Sequence, residues 1–339
     1  MAFWKPQGQG SSTGDREVDT VLTHNKYLHL SIVQQRQNLP ITSEKQNILY
    51  ALERFSTVVV TAETGSGKST QLPQFLHESG WTKGNRCIAC TQPRRMAAIT
   101  VAGRVAEEFG CVLGEEVGYA VRFDAKCSDK TVIKYCTDGL LLRETMSDPL
   151  LSKYSVIIVD EAHERSLQSD LMLGLLKKIL KKRSNLRIIV TSATVDAKAI
   201  KEFFETNKHD KYDELNNNTN KNDNDNKNID GSSNKKRKTE IDHSKDTACI
   251  VSVQGRVHPV DILYQQKSSA NYIISAAETV INIHTSEDKG DILVFLPGGE
   301  EIDNCVRIIE ERGERHAQSL ILIPLYSSLP YAMQMRCAL

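Results

Sequence analysis

TVVVTAETGSGKST, residues 57–70, runs from a stretch of β-branched residues straight into a glycine-spaced turn that closes on Lys-Ser-Thr. Residues 57–62 are short, apolar and β-branched, the composition of a strand covered on both faces. Residues 67–78 read as a helix. A strand, a glycine-rich turn and a helix in that order are the setting of a P-loop. Gly65 and Gly67 allow the tight turn and aim main-chain N–H groups at phosphate oxygens. Lys68 has the length to reach β- and γ-phosphates, and Ser69 carries the hydroxyl that ligates Mg²⁺ in such loops. Thr64, Ser66 and Thr70 fill the rest of the loop. The strict pattern opens on glycine, where this chain has Ala62. A nucleotide site is expected, with a structural glycine-rich turn as the competing reading.

Outward from this turn the chain alternates between strand and helix patterns. Upstream, LHLSIVQQRQNLPI (28–41) predicts a helix ending at Pro40, and SEKQNILYALERF (43–55) a helix with Ile48, Leu49 and Leu52 on one face. Downstream, strands are expected at RCIACTQP (86–93), VIKYCT (132–137), SVIIVDE (155–161) and LRIIVTSAT (186–194). Helices are expected at 96–109, 139–146 and 169–183. Such alternation implies an α/β fold with a parallel, doubly wound sheet. Its second acidic site belongs at Asp160-Glu161-Ala162-His163, which closes the apolar run VIIV. Carboxylates at a strand's C-terminal end face the crevice where open α/β sheets bind ligands. Asp160 suits Mg²⁺, held through water, and Glu161 suits orienting and deprotonating an attacking water. An acidic turn is the plainer alternative. Ser192-Ala193-Thr194 ends a later strand and by itself is ordinary turn chemistry.

Composition narrows the class. Lys+Arg and Asp+Glu are 43 each, so a polybasic tail is excluded while a local basic stripe is not. No apolar stretch approaches the roughly 18 residues of a membrane span, so no membrane partner is expected. Of eight cysteines only Cys87 and Cys90 have CxxC spacing, and no second pair follows to complete a zinc site. Residues 1 to 25 are Gly/Ser/Gln-rich and expected to be flexible. Residues 208–247 are rich in Asn, Asp and Lys and nearly devoid of apolar groups, so disorder is expected there. Lys235-Lys236-Arg237-Lys238 within it reads either as a solvated cluster or as a nuclear-import signal. Strands at ACIVSV (248–253), VDILY (260–264), GDILVFLP (290–297) and LILIPL (320–325), with helices at 271–285 and 299–312, predict the opening of a second α/β domain.

Taken together, AETGSGKST, TQPRRMAA, TDGLLLRE, DEAH and SAT resemble, in order and spacing, the superfamily 2 helicases, specifically the DEAH-box ATP-dependent RNA helicases. LVFLPGGEEI and PLYSSLP resemble the start of that family's second motor domain. FWKP, QQRQNLPI and HPVDILY are most similar to the DEAH-box protein 35 subgroup, which is linked to spliceosomes. The resemblance implies a RecA-like fold, ATP and Mg²⁺ as ligands, and RNA as partner. Spliceosomal proteins, a helicase activator and a nuclear location are implied further. It implies RNA contacts from Arg94, Arg95, Arg122, Phe123, Thr137 and Asp138, and stacking of Arg104 on the nucleotide base. His163, Ser192 and Thr194 would couple hydrolysis to domain movement. Two departures bear on this: Ala62 for the usual Gly, and Pro297 and Gly299 where the family often has Thr and Gln.

The expected organisation is an extension over 1–40, a first RecA-like domain over 41–207, the 208–247 insert, and an incomplete second RecA-like domain over 248–339. That last part is short for a domain that opens like the first, and the family's later motifs do not follow PLYSSLP, so truncation is expected. A catalytically incomplete short form acting as a nucleotide- and RNA-binding module, and a P-loop motor acting on DNA or protein, are the alternative readings.

Overall fold

Strands β2 (Thr57–Ala62), β3 (Cys87–Gln92), β7 (Tyr154–Val159) and β8 (Arg187–Ser192) form the middle of one sheet, and each is buried on both faces. The computed structural model describes residues 3–4, 30–193, 197–205, 247–255, 260–265, 268–287, 290–313, 320–330 and 333–334. They fall into two units, Ile32–Val257 and Met1–Ser31 with His258–Leu339.

In the first unit, β4 (Val117–Val121), β5 (Asp124–Lys126), β6 (Ile133–Thr137) and β9 (Ala248–Val253) complete an eight-stranded sheet of order β5-β4-β6-β3-β7-β8-β2-β9. Every pairing is parallel except β4 with β5. Successive side chains of a strand point to opposite faces. Val58, Val60, Ile88, Cys90, Val156, Ile158 and Ile189 therefore enter one core, and Ala89, Ile157, Val159, Ile188 and Val190 enter the other. The first core is roofed by α2 (Lys45–Arg54), α3 (Lys68–Glu78) and α4 (Arg95–Phe109) through Ile48, Leu52, Leu72, Phe75, Ala98 and Ala102. The second is roofed by α5 (Asp138–Ser147), α6 (Leu167–Lys182) and α7 (Ala197–Phe204) through Leu141, Met172, Leu176, Ile179 and Phe204. Helices on both faces of a mainly parallel sheet are the doubly wound α/β arrangement anticipated above.

Several expectations need correction. The strand 248–253 does not open a second domain; it adds to the first sheet, parallel to β2 from Thr57↔Ala248 to Ala62↔Val253. The hairpin β4–β5 is not among the expected strands, because GYAV lacks the β-branched density of the others. The helix expected up to Pro40 is α1 (Ile32–Gln37), followed by a 3₁₀ turn, Pro40–Glu44. Cys87 and Cys90 are three apart on a strand and enter opposite cores, so they cannot share a zinc ion. Burial pushes the Cys87 thiol up to about 12 and raises that of Cys90. No helix among the described residues is long and apolar enough to cross a membrane.

In the second unit, α8 (Tyr272–Ser286) and α9 (Gly299–Gly313) pack through Ala277, Val280, Cys305 and Ile309. Residues 290–297 and 320–325 were expected as strands, yet neither is paired in a ladder among the described residues. Ile292, Leu296, Leu320 and Leu322 lie against this small core, while Leu293, Phe295 and Ile321 are exposed. Of VDILY only its end is a strand: β10 (Tyr264–Gln265) pairs antiparallel with β1 (Phe3–Trp4), within the stretch expected to be flexible. Of the expected 208–247 insert, residues 208–246, with the Lys235–Lys238 cluster, lie outside the described residues.

Candidate nucleotide site

Because β7, β8 and β2 are parallel neighbours, the turns that follow them emerge at one edge of the sheet. The glycine loop follows β2, the acidic pair follows β7, and Ser192 ends β8 between them.

Gly65 and Gly67 both take positive φ, 81° and 93°, the left-handed region open to glycine. At Gly67 there is also no room: a Cβ would stand 2.9 Å from Cδ1 of Leu39. Leu39 and Ile41 press on the loop from outside, and the Ile41 N–H donates to Ser66 O at 3.1 Å. Lys68 is buried at the start of α3, and its Nζ donates to Ala62 O at 2.7 Å and Glu63 O at 3.0 Å. Burial lowers its affinity for the proton, and the nearby carboxylates of Glu161 and then Asp160 oppose that shift. The ammonium and the acidic pair thus share one electrostatic site. Thr70 Oγ1 donates to Gly67 O at 3.3 Å, and Thr64 is exposed at the loop's mouth.

Ser69 is placed by an exchange of partners. Pro73 lies inside α3 and has no N–H to give the carbonyl four residues back, which belongs to Ser69. The buried Tyr135 hydroxyl supplies that bond instead, donating to Ser69 O at 2.7 Å.

Asp160 is fully buried. Its Oδ2 accepts from Gln92 Nε2 at 2.6 Å, and its Oδ1 accepts from the Glu161 N–H at 3.0 Å and from the Thr191 hydroxyl. Glu161 stands in the left-handed region (φ 54°), as does Arg165 (φ 49°), so the turn between them is strained at both ends. Burial, and then the charge of Asp160, raise the Glu161 carboxyl above the usual range. His163 Nε2 lies 3.2 Å from Glu161 Oε2, and the Ala193 N–H donates to Nδ1 at 3.2 Å. With Nδ1 accepting, Nε2 carries the proton and donates to the carboxylate. One imidazole therefore joins the acidic turn to the Ser-Ala-Thr turn.

The residues present fit a magnesium–triphosphate group. Three donors take three of the four lone-pair sites of Asp160, leaving room for one bridging water rather than a direct metal bond. Ser66 Oγ, buried within the loop, makes no hydrogen bond to the protein. Among the described residues no cluster of three or more His, Cys, Asp or Glu side chains is fit to hold a metal without such a ligand.

The other predicted residues divide. Arg94, Arg95, Arg122 and Phe123 are exposed, and Thr137 is half-buried. Arg94 pairs with Glu164 at 3.3 Å, tying the TQPRR turn to the acidic turn. The Arg122 guanidinium lies 4.8 Å over the Phe123 ring at the tip of the β4–β5 hairpin, with Phe123 at φ 66°. Asp138 is a correction. It is 1% exposed, and its Oδ2 accepts from Ser169 Oγ at 2.7 Å, so it cannot touch a strand at the surface. Ser192 is buried, and Thr194 lies outside the described residues. Arg104 bonds to Glu107, Glu108 and Gln35. Sequence reasoning missed Gln92, Thr191 and Gln35. Only the ladder register brings the first two to Asp160: Val159 pairs with Thr91 on one side and Val190 on the other.

The family model described as DEAD/DEAH box helicase matches residues 34–203. The human "Probable ATP-dependent RNA helicase DHX35" is 46% identical over 99% of this chain and 45% of its own length. The Caenorhabditis elegans "Probable ATP-dependent RNA helicase DHX35 homolog" is 47% identical over 92% of this chain and 39% of its own. The Schizosaccharomyces pombe "Pre-mRNA-splicing factor ATP-dependent RNA helicase prp22" is 42% identical over 93% of this chain and 24% of its own. The chain spans less than half the length of each of these relatives.

Proposed function

This chain belongs to the DEAD/DEAH box helicase family, and on that premise we propose that it forms the ATP-gripping part of an ATP-dependent RNA helicase acting in pre-mRNA splicing. One observation carries the reading: the buried Lys68 and Asp160 and the half-buried Glu161 stand together at the sheet edge where the P-loop turns, with the charge of Asp160 acting on both Lys68 and Glu161. In this reading the loop amides of residues 64–69 and the Lys68 ammonium hold the phosphates. Ser69 and, through water, Asp160 hold Mg²⁺, which supplies neutralising charge on the phosphate oxygens when bound. Glu161 takes the proton of the attacking water, and its raised affinity for protons suits it as a base. His163 passes displacement of Glu161 to the backbone of Ala193. Arg94, Arg95, Arg122, Phe123 and Thr137 supply a surface for RNA, with the Phe123 ring for a base to stack on. The names of the splicing relatives favour a nuclear protein that works with spliceosomal partners, and we propose a helicase activator among them.

The test is binding of a fluorescent ATP analogue with Mg²⁺, with and without single-stranded RNA or DNA of one length. Lys68→Ala should weaken nucleotide binding by about 100-fold or more, the loss of a buried charge-assisted contact. RNA should tighten nucleotide binding more than DNA does. Undiminished binding by Lys68→Ala would overturn the site, and a larger response to DNA would turn the reading toward a DNA motor.

A further inference from the structure

Gln35 Oε1 accepts a hydrogen bond from Arg104 Nη2 at 3.1 Å, joining α1 to α4 across 69 residues of sequence. The same guanidinium donates through Nε to Glu108 Oε1 at 2.8 Å and through Nη1 to Glu107 Oε2 at 3.0 Å. Hydrogen bonds to a guanidinium lie in its plane, so three acceptors around the edge fix the plane and leave its faces for stacking. The Arg104 side chain is 39% exposed.

This plane is tied to the phosphate loop. The buried Glu108 Oε2 accepts from Gln71 Nε2 and Gln74 Nε2, both at 2.8 Å, on the first turns of α3. Gln71 Nε2 also reaches Thr70 Oγ1 at 3.0 Å. Three hydrogen bonds, by way of Glu108 and Gln71, thus connect Arg104 to Thr70 of the loop. Helix α1 is anchored to the same helix: Arg36 Nε donates to Gln71 Oε1 and Arg36 Nη2 to Glu78 Oε1, each at 2.9 Å. The following 3₁₀ turn holds Ser66 O through the Ile41 N–H. Gln35 is therefore held relative to the phosphate loop through α3 and the 3₁₀ turn as well as through α4.

Of the three acceptors, Glu107 and Glu108 follow Arg104 on one helix, at i+3 and i+4, and both are charged. Alone they hold the plane from one helix only. Gln35 approaches from another helix, and as a neutral amide it places no third negative charge beside a polyanion. We infer that Gln35 is a positioning residue for the nucleotide base: by fixing the Arg104 plane, α1 gives the site its preference for base-bearing nucleotides over bare polyphosphate. This rests on the nucleotide-site reading above and on Arg104 as the stacking surface.

The experiment measures Kd for ADP and for inorganic tripolyphosphate, each with Mg²⁺, on the full chain by titration calorimetry. The readout is the ratio of the two. Gln35→Ala should weaken ADP about fivefold, the scale of one oriented stacking contact, and leave tripolyphosphate within about twofold. Gln35→Glu keeps the acceptor and should keep the ratio, even where its charge weakens both ligands. Arg104→Ala should lower the ratio at least as far, and the double variant no further, because the two act as a unit. A Gln35→Ala chain with an unchanged ratio, or with both ligands weakened equally, overturns the inference while Arg104→Ala still lowers the ratio. If Arg104→Ala leaves the ratio intact, the stacking reading falls and takes the inference with it. If the wild-type chain binds neither ligand, the nucleotide site itself is refuted.

Discussion

A carboxyl as buried as that of Asp138 holds its proton longer than one in water. Burial raises it, the hydroxyls of Thr91 and Ser169 pull it back, and the charge of Asp160 raises it further. The net shift is upward. Between the ordinary aspartate range and the raised value, the folded chain then holds more protons than the unfolded one. This group's contribution to stability therefore falls as pH rises through that window, and is most favourable below it. Asp138→Asn has no such titration, so its stability relative to wild type should improve as pH climbs from acid to neutral. Urea unfolding of both chains across that range tests the sign; parallel curves would mean that Asp138 titrates normally. Legibility at this scale was uneven. TDG marked a functional turn, yet no residue type reveals which of two adjacent polar side chains faces inward. That depends on Ser169, a residue of α6, arriving beside Asp138.

Helix α3 carries a proline in its interior, which ordinarily costs about 3 kcal/mol. Part of that cost is an unpaired carbonyl at Ser69, and the Tyr135 hydroxyl offsets it from β6. Tyr135→Phe should therefore destabilise the domain by about 1–3 kcal/mol, the cost of a buried acceptor left without a donor. Because the freed carbonyl belongs to Ser69, nucleotide affinity with Mg²⁺ should fall more than affinity without it. Pro73→Ala restores the helix's own N–H, so adding it to Tyr135→Phe should recover part of the stability. Denaturant unfolding of the single and double variants checks this, and purely additive losses would disprove the exchange. The position of the helix was legible in the glycine loop before it. Its dependence on a strand 66 residues away was not, because the partner is set by packing across the sheet.

Across the first unit, β9 ties residues beyond 247 into the sheet that begins at β2. The two ends of the intervening segment meet: Thr247 Oγ1 donates to Phe204 O at 3.2 Å, and the Ala248 N–H donates to Glu205 Oε1 at 3.3 Å. Replacing residues 206–246 with a short Gly/Ser linker should thus leave nucleotide affinity unchanged and the melting temperature equal or slightly higher, since a shorter loop loses less entropy on closing. Ending the chain at residue 205 instead should lower the melting temperature by several degrees, by stripping β2 of a parallel partner. Equal melting of the two chains would show that β9 contributes nothing. The sequence by itself determined the alternation of strands and helices, the glycine loop and the order of the acidic turns. Those are local properties, written in periodicity and in the freedom of glycine. Only the tertiary structure decided that β9 edges the first sheet, that Gln92 and Thr191 grip Asp160, that Asp138 turns inward, and that Gln35 of α1 meets Arg104 of α4. Each depends on register between segments far apart in the chain, and register is set when two apolar cores fill from opposite faces of one sheet.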